Sequence, residues 1–241
     1  MNNLCVAHRG ASGEAPENTI IAARIAMSYP FVQWMEIDVQ LSKDGVPVVI
    51  HDDRVNRTTN GRGKVAELTA AELGRLDAGR WFGQSFAGER LPTLEQMLEA
   101  TAGRCRLNIE LKSLNGNYPL LEQKVIELLY KRQLQYDTVI TSFDPDSLYK
   151  VKQISPELVT GLIIDSAPRQ LLAELNRLEC GFLSIGYAQV TPVRLQEWRQ
   201  AGLKVMAWTV NDVSAIRRLA RMDPDLMICT NYPDRYALAM S

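Results

Sequence analysis

Residues 34–53 read WMEIDVQLSKDGVPVVIHDD, two β-like runs that are separated only by SKDG. Four residues cannot form a parallel crossover, which needs a dozen or more, but an Asp-Gly pair can close a hairpin. Carboxylates alternate with apolar residues in the first run, so Glu36 and Asp38 share one face of a strand that is patterned for burial. The stretch predicts a barrel strand that extends into an antiparallel return, which delivers His51 to a position roughly opposite Glu36.

Elsewhere, short β-rich runs alternate with amphipathic helical patterns such as 17–29, 118–133 and 213–222, which is typical of a parallel sheet with helical crossovers. Eight strands that are each followed by a helix predict an α/β fold of the TIM (β/α)8 barrel type, and an open doubly wound sheet is the alternative. The strands are predicted at 4–8, 32–41, 105–112, 138–143, 159–164, 181–187, 204–210 and 226–231, with the return strand at 46–50.

Residues 53–91 interrupt this alternation and are rich in glycine, arginine and threonine. The segment is too short for an independent hydrophobic core, so we interpret it as a small cap inserted after the second strand and its hairpin. The chain, residues 1–241, is thus expected to form one domain. We expect Trp81, Phe82 and Phe86 of the cap to contact the barrel, with a lipid-facing position as the alternative.

The overall composition favours a soluble enzyme over a nucleic-acid or membrane protein. The net charge is −1, so no basic field favours nucleic acid or an acidic membrane. No run approaches the roughly 20 apolar residues that span a bilayer, and the N-terminus lacks a signal-peptide pattern. Four widely spaced cysteines without metal-ligand spacing indicate packing roles in a reducing, cytoplasmic setting; they are Cys5, Cys105, Cys180 and Cys229.

Charged side chains converge on one predicted barrel mouth. Glu110 and Lys112 share a face of the run NIELK, so three carboxylates meet there if this strand and the strand of Glu36 and Asp38 line the same mouth. Hard oxygen ligands of this kind suit Mg²⁺, Ca²⁺ or Mn²⁺ rather than zinc. Structural ion pairs, Glu110 with Lys112 for instance, are the alternative.

The chain contains two histidines, His8 and His51, and each ends a predicted strand. Histidine titrates near neutrality, so this pair can serve as general acid and general base. Arg9 offers a bidentate fork for a phosphate group, and Lys112 offers a point charge for the same group. Together with a metal ion, these groups favour phosphoryl chemistry over hydride or acyl transfer.

Ordered motifs along almost the whole chain resemble the glycerophosphodiester phosphodiesterase family. They are AHRGASGEAPENT, EIDVQLSKDGVPVVIHDD, DAGRWF with FAGERLPTLEQ, NIELK, AWTVN and ICTNYPD. The resemblance implies a TIM barrel that hydrolyses glycerophosphodiesters to glycerol 3-phosphate and an alcohol. It also implies a small-molecule substrate, one divalent cation, no stable membrane association, and a monomer or homodimer.

The resemblance assigns roles to individual positions. It implies metal ligands at Glu36, Asp38 and Glu110, catalytic histidines at His8 and His51, and phosphate contacts at Arg9 and Lys112. Glu17 matches a family glutamate near the active centre, although it could equally begin a helix at residue 17. Phe143 and Trp208 match aromatic residues that wall the glycerol side, although filling of the barrel core is the alternative.

The final motif departs from the family pattern, because Asn231 stands where an aspartate is more usual. We expect Asn231 to touch none of the proposed catalytic groups, and Asn211 and Asn231 could simply start helices. The resemblance further suggests that the substrate's own 2-hydroxyl is the nucleophile and gives a cyclic phosphate that water opens. Which histidine is the base stays open.

Three rival functions remain at this point. One is a lysophospholipase D of the same fold, which needs an apolar groove or surface for an acyl chain. Another is an inactive barrel that only binds phosphate compounds. A third is a phosphosugar isomerase, which needs no cluster of three carboxylates. The sequence leaves open the headgroup, the identity of the cation and the oligomeric state.

Overall fold

The structure, a computed structural model, describes residues 3–113 and 120–241. Its strands are β1 (Cys5–His8), β2 (Val32–Leu41), β3 (Pro47–Val49), β4 (Arg106–Leu111), β5 (Thr138–Ser142), β6 (Val159–Ile164), β7 (Phe182–Gly186), β8 (Lys204–Trp208) and β9 (Met227–Thr230). Its helices are α1 (Ile20–Ser28), α2 (Ala70–Leu73), α3 (Leu94–Thr101), α4 (Leu121–Lys131), α5 (Pro145–Ile154), α6 (Leu171–Arg177), α7 (Pro192–Gln200), α8 (Val213–Met222) and α9 (Pro233–Met240).

Eight parallel strands close on themselves, and β3 is an antiparallel addition to β2. Strand β1 pairs with both β2 and β9, so the sheet has no open edge at this seam. The predicted TIM barrel is confirmed, and the open doubly wound sheet is excluded by this closure. The remaining barrel strands follow in chain order from β4 to β9.

Each of the three predicted helical patterns contains a helix of the structure, and α4 begins at Leu121 and ends at Lys131, inside the pattern at 118–133. The pattern at 213–222 coincides with α8, and the first two residues of the pattern at 118–133 lie outside the described residues. Helix α1 begins at Ile20 rather than at Glu17, because Thr19 is its N-cap and accepts a hydrogen bond from the backbone of Ala22. Glu17 therefore lies in the loop between β1 and α1.

Side-chain alternation along β2 separates the barrel interior from the helical layer. Met35, Ile37 and Val39 are fully buried in the large apolar cluster between the strands and the surrounding helices. Burial of an aliphatic side chain of this size contributes about 1.5–3 kcal/mol. Trp34 belongs to a separate apolar cluster inside the barrel, so Glu36 and Asp38, which share its parity, also point inward.

The hairpin between β2 and β3 forms as predicted, but its register differs by one residue. Val39 pairs with Val49, and Ser42 donates its N–H to Val46, so the loop has three residues rather than four. Gly45, with φ 75°, supplies the left-handed conformation that this loop needs. This register aligns His51 with Ile37 rather than with Glu36, and paired β3 ends at Val49.

The segment predicted as a cap packs on the return strand. It contains α2 and two short 3₁₀ turns, and one small apolar cluster joins it to β3; its members are Val48, Ile50, Val55, Val65, Leu73, Ala78 and Leu91. Because the inserted segment shares this apolar cluster with β3, it needs no independent hydrophobic core. Its aromatic rings contact one another edge to face, Trp81 with Phe82 and Phe82 with Phe86, and Trp81 remains 39% exposed.

The four cysteines are free thiols, and three of them are buried, while Cys105 is half-buried. Among the described residues, none of the helices is long and apolar enough to cross a bilayer.

Candidate active site

Three carboxylates from neighbouring strands meet inside the barrel. Strands β2 and β4 run in register, with Glu36 beside Asn108 and Asp38 beside Glu110. One oxygen from each of Glu36, Asp38 and Glu110 lies within 4.8 Å of the other two, and all three residues are buried. The alternation of inward side chains on two parallel strands therefore produces the predicted cluster.

The carboxylate cluster is electrostatically incomplete. Glu36 Oε1 and Asp38 Oδ1 are buried without a hydrogen-bond partner. Burial and the neighbouring charges of Asp38 and Glu110 raise the pKa of Glu36 well above its ordinary value. Burial and Asp38 likewise raise the pKa of Glu110 to about 7. Buried acids that resist ionisation and oxygens without partners both indicate room for a cation.

Two cationic side chains face the three acids. Arg9 Nε lies 3.1 Å from Asp38 Oδ2, and Lys112 Nζ lies 2.6 Å from Glu110 Oε1 and 3.5 Å from Asp38 Oδ1. Although burial works in the opposite direction, Arg9 and Lys112 lower the pKa of Asp38 to about 2. Fully ionised, the cluster holds one more negative than positive charge. A divalent cation would reverse that sign and create a site for a phosphodiester anion.

The loop after β1 carries Arg9 into the cluster. Arg9 has φ 55° and donates its backbone N–H to the carbonyl of Glu36. Gly10, with φ 81°, lies so close to α1 that a Cβ there would meet the carbonyl carbon of Ala22 at 2.7 Å. Asn18 closes the loop by donating from Nδ2 to Asp38 Oδ2 at 2.8 Å, which fixes that carboxylate in its plane.

The predicted His8 lies at the rim of the carboxylate cluster. Its Nε2 is 3.7 Å from Glu36 Oε2, and its Nδ1 is 2.6 Å from Asn231 Oδ1. Burial, aided by the charge of Arg9, lowers the pKa of His8 to about 4. The expectation that Asn231 touches none of the proposed catalytic groups is wrong, because β9 adjoins β1 and its following residue reaches the imidazole.

Asn211 and Asn231 also do not start helices. Asp212 is the N-cap of α8 and Tyr232 precedes α9. Asn211 instead accepts hydrogen bonds from the Thr230 hydroxyl and from the backbone N–H of Asn231, through its Oδ1. This contact fixes the segment that presents the Asn231 amide to the barrel.

A buried glutamine shapes the turn that carries His51. Gln40, on the inward face of β2, directs Nε2 at the carbonyl oxygens of Ile50, His51 and Asp52, at 3.2, 2.9 and 2.6 Å. The turn is thereby folded back onto β2 beyond the end of β3. His51 Nδ1 then lies 2.7 Å from Asp52 Oδ1. The contacts of Gln40, rather than continued pairing of β3 with β2, therefore place the imidazole of His51 at the site.

Arg57 joins the two sides of the site. Its Nε and Nη2 donate to the two oxygens of Asp52, and its Nη1 and Nη2 donate to those of Glu17. Glu17 Oε1 also accepts from Arg9 Nη1 at 2.9 Å. A continuous chain of polar contacts therefore runs from His51 to Arg9.

A cavity of ≈ 130 Å³ opens beside these groups. Its lining includes His8, Arg9, Glu36, His51 and Glu110 as well as Phe143 and Trp208. The Phe143 and Trp208 rings meet edge to face with centroids 5.8 Å apart, and Phe143 is 39% exposed. The two aromatic residues therefore line one side of the cavity, and Trp208 also packs against the apolar cluster inside the barrel.

All ten residues predicted for the site lie around this cavity or directly contact a residue that does. Sequence reasoning missed several of their partners, namely Asn18, Gln40, Asp52, Arg57 and Asn231. Asp52 follows His51 directly and Asn18 follows Glu17, so proximity in the sequence could have indicated both. Arg57 and Asn231 reach their partners only through the closed fold.

Comparison with known proteins identifies the family. The model of the glycerophosphoryl diester phosphodiesterase family matches residues 8–235. The chain is 38% identical over 229 residues to a glycerophosphodiester phosphodiesterase of Caldanaerobacter subterraneus subsp. tengcongensis, covering 95% of this chain and 94% of that protein. It is 33% identical over 252 residues to a Bacillus subtilis enzyme with the same name, covering 97% of this chain and 85% of that protein.

Solved structures agree with the sequence comparisons. An Oleispira antarctica phosphodiesterase in complex with the product sn-glycerol-3-phosphate has a TM-score of 0.90 and 34% identity, over 98% of this chain and 96% of that chain. A glycerophosphodiester phosphodiesterase from Agrobacterium tumefaciens has a TM-score of 0.85 and 32% identity, over 98% and 99% of the two chains. The chain therefore belongs to the glycerophosphoryl diester phosphodiesterase family, whose members are phosphoric diester hydrolases.

Proposed function

We propose that this protein hydrolyses glycerophosphodiesters to glycerol 3-phosphate and an alcohol, with a divalent cation and two histidines as general acid and base. One observation supports this proposal most strongly. Glu36 Oε1 is buried without a hydrogen-bond partner, and Glu36 lines the same cavity as both histidines. The product bound to the Oleispira relative supports glycerol 3-phosphate as the retained half of the substrate.

Glu36, Asp38 and Glu110 would hold the cation. Their donor set of hard oxygens fits Mg²⁺, Ca²⁺ or Mn²⁺. When bound, such a cation supplies positive charge to the phosphate oxygens and lowers the pKa of a coordinated hydroxyl or water.

Arg9 and Lys112 would bind the phosphate group itself. Arg9 is held by Asp38 and Glu17, and Lys112 is held by Glu110, so both cations are already oriented before substrate arrives. Preorganised positive charge stabilises the negative charge that the phosphoryl oxygens carry in the transition state, without the cost of reorienting solvent. The phosphate contact predicted from the resemblance is consistent with this geometry.

The two histidines have partners of different charge, and this difference supports an assignment of their roles. The neutral amide oxygen of Asn231 accepts the Nδ1–H of His8, which leaves the Nε2 lone pair of a neutral imidazole to take a proton from the nucleophile. Asp52, the partner of His51, is a carboxylate that accepts from Nδ1 of an imidazolium, the form from which a general acid donates its Nε2–H. We therefore assign His8 as the general base and His51 as the general acid that protonates the departing alcohol.

The cavity and its aromatic wall support the orientation of the substrate. A volume of ≈ 130 Å³ suits the compact glycerol 3-phosphate half. Phe143 and Trp208 would contact the carbon face of the glycerol unit.

The test is the release of glycerol 3-phosphate from glycerophosphocholine, measured with the untreated protein, after EDTA, and after each divalent cation is restored. The proposal predicts release that EDTA abolishes and at least one cation restores. Release of choline from lysophosphatidylcholine, with none from glycerophosphocholine, would replace the proposal with a lysophospholipase D. No release from either substrate with any cation would indicate a barrel that binds phosphate compounds without cleaving them.

A further inference from the structure

The inserted segment contributes one side chain, Arg57, to the architecture of the active site. Its guanidinium uses four N–H groups on two carboxylates, at distances of 2.7 to 2.8 Å. Each carboxylate is already bound to a predicted active-site cation or imidazole: Asp52 to His51 and Glu17 to Arg9. Arg57 thus occupies the middle of a chain that begins at one proposed catalytic group and ends at the proposed phosphate-binding arginine.

We propose that Arg57 is a positioning residue that fixes His51 through Asp52 and Arg9 through Glu17. The inference rests on the proposed hydrolysis, since it concerns the geometry of the same site. This role gives the inserted segment a function in the site itself. Arg57 holds His51, on the proton-transfer side, and Arg9, on the phosphate-binding side, at a fixed separation.

The geometry distinguishes Arg57 from an ordinary surface ion pair. An exposed single pair is worth only about 0–1 kcal/mol, because solvent screens it and two long side chains lose freedom. The side chain of Arg57 is itself 44% exposed, but it binds two carboxylates at once in the planar bidentate arrangement that only a guanidinium provides. The side chain of Glu17 is only 12% exposed, so the plane of its carboxylate is well defined.

The chemical consequence for His51 concerns its tautomer and orientation. Asp52 accepts from His51 Nδ1, and Arg57 fixes the plane of that carboxylate by two further bonds. Nδ1 therefore carries a proton in both the neutral and the protonated ring, and Nε2 is the nitrogen left to give or take the catalytic proton. Without Arg57, Asp52 can rotate, and the imidazole loses the contact that selects this tautomer.

The consequence for Arg9 concerns the proposed phosphate contact. Glu17 Oε1 accepts from both Arg57 and Arg9, so it determines where Arg9 Nη1 lies. Misplacement of a positioning group by 1 Å can lower a rate by about 10²-fold. We therefore expect the loss of Arg57 to lower kcat through His51 and to raise KM through Arg9.

The experiment compares Arg57→Ala and Arg57→Lys with Arg62→Ala, which changes an exposed arginine of the same segment. Kinetics use glycerophosphocholine with saturating cation. We expect Arg57→Ala to lower kcat by about 10- to 10²-fold and to raise KM. Arg57→Lys keeps the charge but lacks the planar guanidinium, so we expect its kcat to be little higher than that of Arg57→Ala. Millimolar methylguanidine should partly restore the kcat of Arg57→Ala. Arg62→Ala should match the unaltered protein.

A second measurement needs neither turnover nor a metal. The chain has two histidines, so ¹⁵N imidazole spectra of the metal-free protein resolve each ring. We expect a dominant Nδ1–H tautomer for His51 that becomes a mixture in Arg57→Ala, with His8 unchanged. Wild-type kinetics and an unchanged His51 tautomer in folded Arg57→Ala or Arg57→Lys would overturn the inference. If the unaltered protein cleaves no substrate, the proposed function fails, and the His51 spectra still decide the role of Arg57.

Discussion

The Nδ1 atom of His8 lies 2.6 Å from the amide oxygen of Asn231, across the seam where β1 pairs with β9. An amide oxygen only accepts hydrogen bonds, so His8 donates from Nδ1 in this contact, which leaves Nε2 for the role of base that we propose. The barrel must close for the two residues to meet. The hydrogen bond between His8 and Asn231 therefore depends on closure of the sheet.

Replacement of Asn231 by leucine should lower kcat, because the leucine side chain has no acceptor for Nδ1–H. The loss should be smaller than the roughly 10²–10⁴-fold expected when a positioned acid or base is removed altogether. Asn231→Asp keeps an acceptor and should retain more activity than Asn231→Leu. Steady-state kinetics at saturating cation provide the measurement, and equal kcat values for Asn231→Leu and the unaltered protein would contradict this role.

Gln40→Leu should destabilise the protein, because the carbonyls of Ile50, His51 and Asp52 all lose the amide that they share. An unsatisfied buried polar group costs about 1–3 kcal/mol, and we expect a reduction of that size in the free energy of unfolding measured with urea. Gln33→Leu is the matched control, since Gln33 is an exposed residue of the same strand. Its effect should stay within about 0.5 kcal/mol. Equal stability of the two variants would refute the bridging role.

Local pattern was sufficient to predict the barrel and its carboxylates. The bounds of β2 and β6 match the predicted runs 32–41 and 159–164, because both are β-rich, largely apolar runs of strand length. The same period of two predicted that Glu36 and Asp38 point inward. Strand pairing then brings Glu110 beside them, as expected for adjacent parallel strands.

Features that depend on turn geometry or on distant partners were not predictable in the same way. The hairpin register was one residue off, because Ser42 pairs with Val46 instead of belonging to the turn, and the conformation of Gly45 closes the shorter loop. Asn231 is 223 residues from His8, and Arg57 is 40 residues from Glu17. Neither contact has a local sequence signature, because each is created by tertiary closure.

Cation binding should release protons near neutral pH. Burial and neighbouring carboxylates raise the pKa of Glu36 well above 4.5 and that of Glu110 to about 7. A bound cation requires ionised ligands, so both acids must lose their protons. Titration calorimetry at about pH 6, in buffers of different ionisation enthalpy, should show this release, with less release at about pH 8. Identical heats in all buffers at both pH values would contradict the raised pKa values.

The same shifts determine how stability depends on pH without a cation. The folded protein keeps protons on Glu36 and Glu110 that the unfolded chain loses near pH 4.5. The contribution of Glu110 to the free energy of unfolding is therefore present below pH 4.5 and is lost as pH rises through about 7, and the contribution of Glu36 is likewise lost as pH rises. We expect the melting temperature gained on adding the cation to increase over that pH range. A gain that stays constant or decreases would contradict the assignment.

Phe143→Ala should raise KM for glycerophosphocholine with a smaller effect on kcat, because Phe143 lines the cavity with an apolar ring that cannot transfer a proton. Loss of an aromatic contact costs about 0.5–1.5 kcal/mol, which corresponds to roughly 2- to 12-fold in KM. Phe143→Leu keeps an apolar surface, so its KM should lie between those of Phe143→Ala and the unaltered protein. A fall in kcat with KM unchanged would show that Phe143 does not contact the bound substrate.

The central claim is that His8 and His51 transfer protons during metal-dependent cleavage. Its most direct test compares His8→Ala and His51→Ala, folded and loaded with cation, on glycerophosphocholine and on the 4-nitrophenyl ester of glycerol phosphate, whose leaving group departs without protonation. We predict losses of about 10²–10⁴-fold for both variants on glycerophosphocholine, with activity on the nitrophenyl ester largely retained only by His51→Ala. Near-native turnover of glycerophosphocholine by either variant would contradict the account.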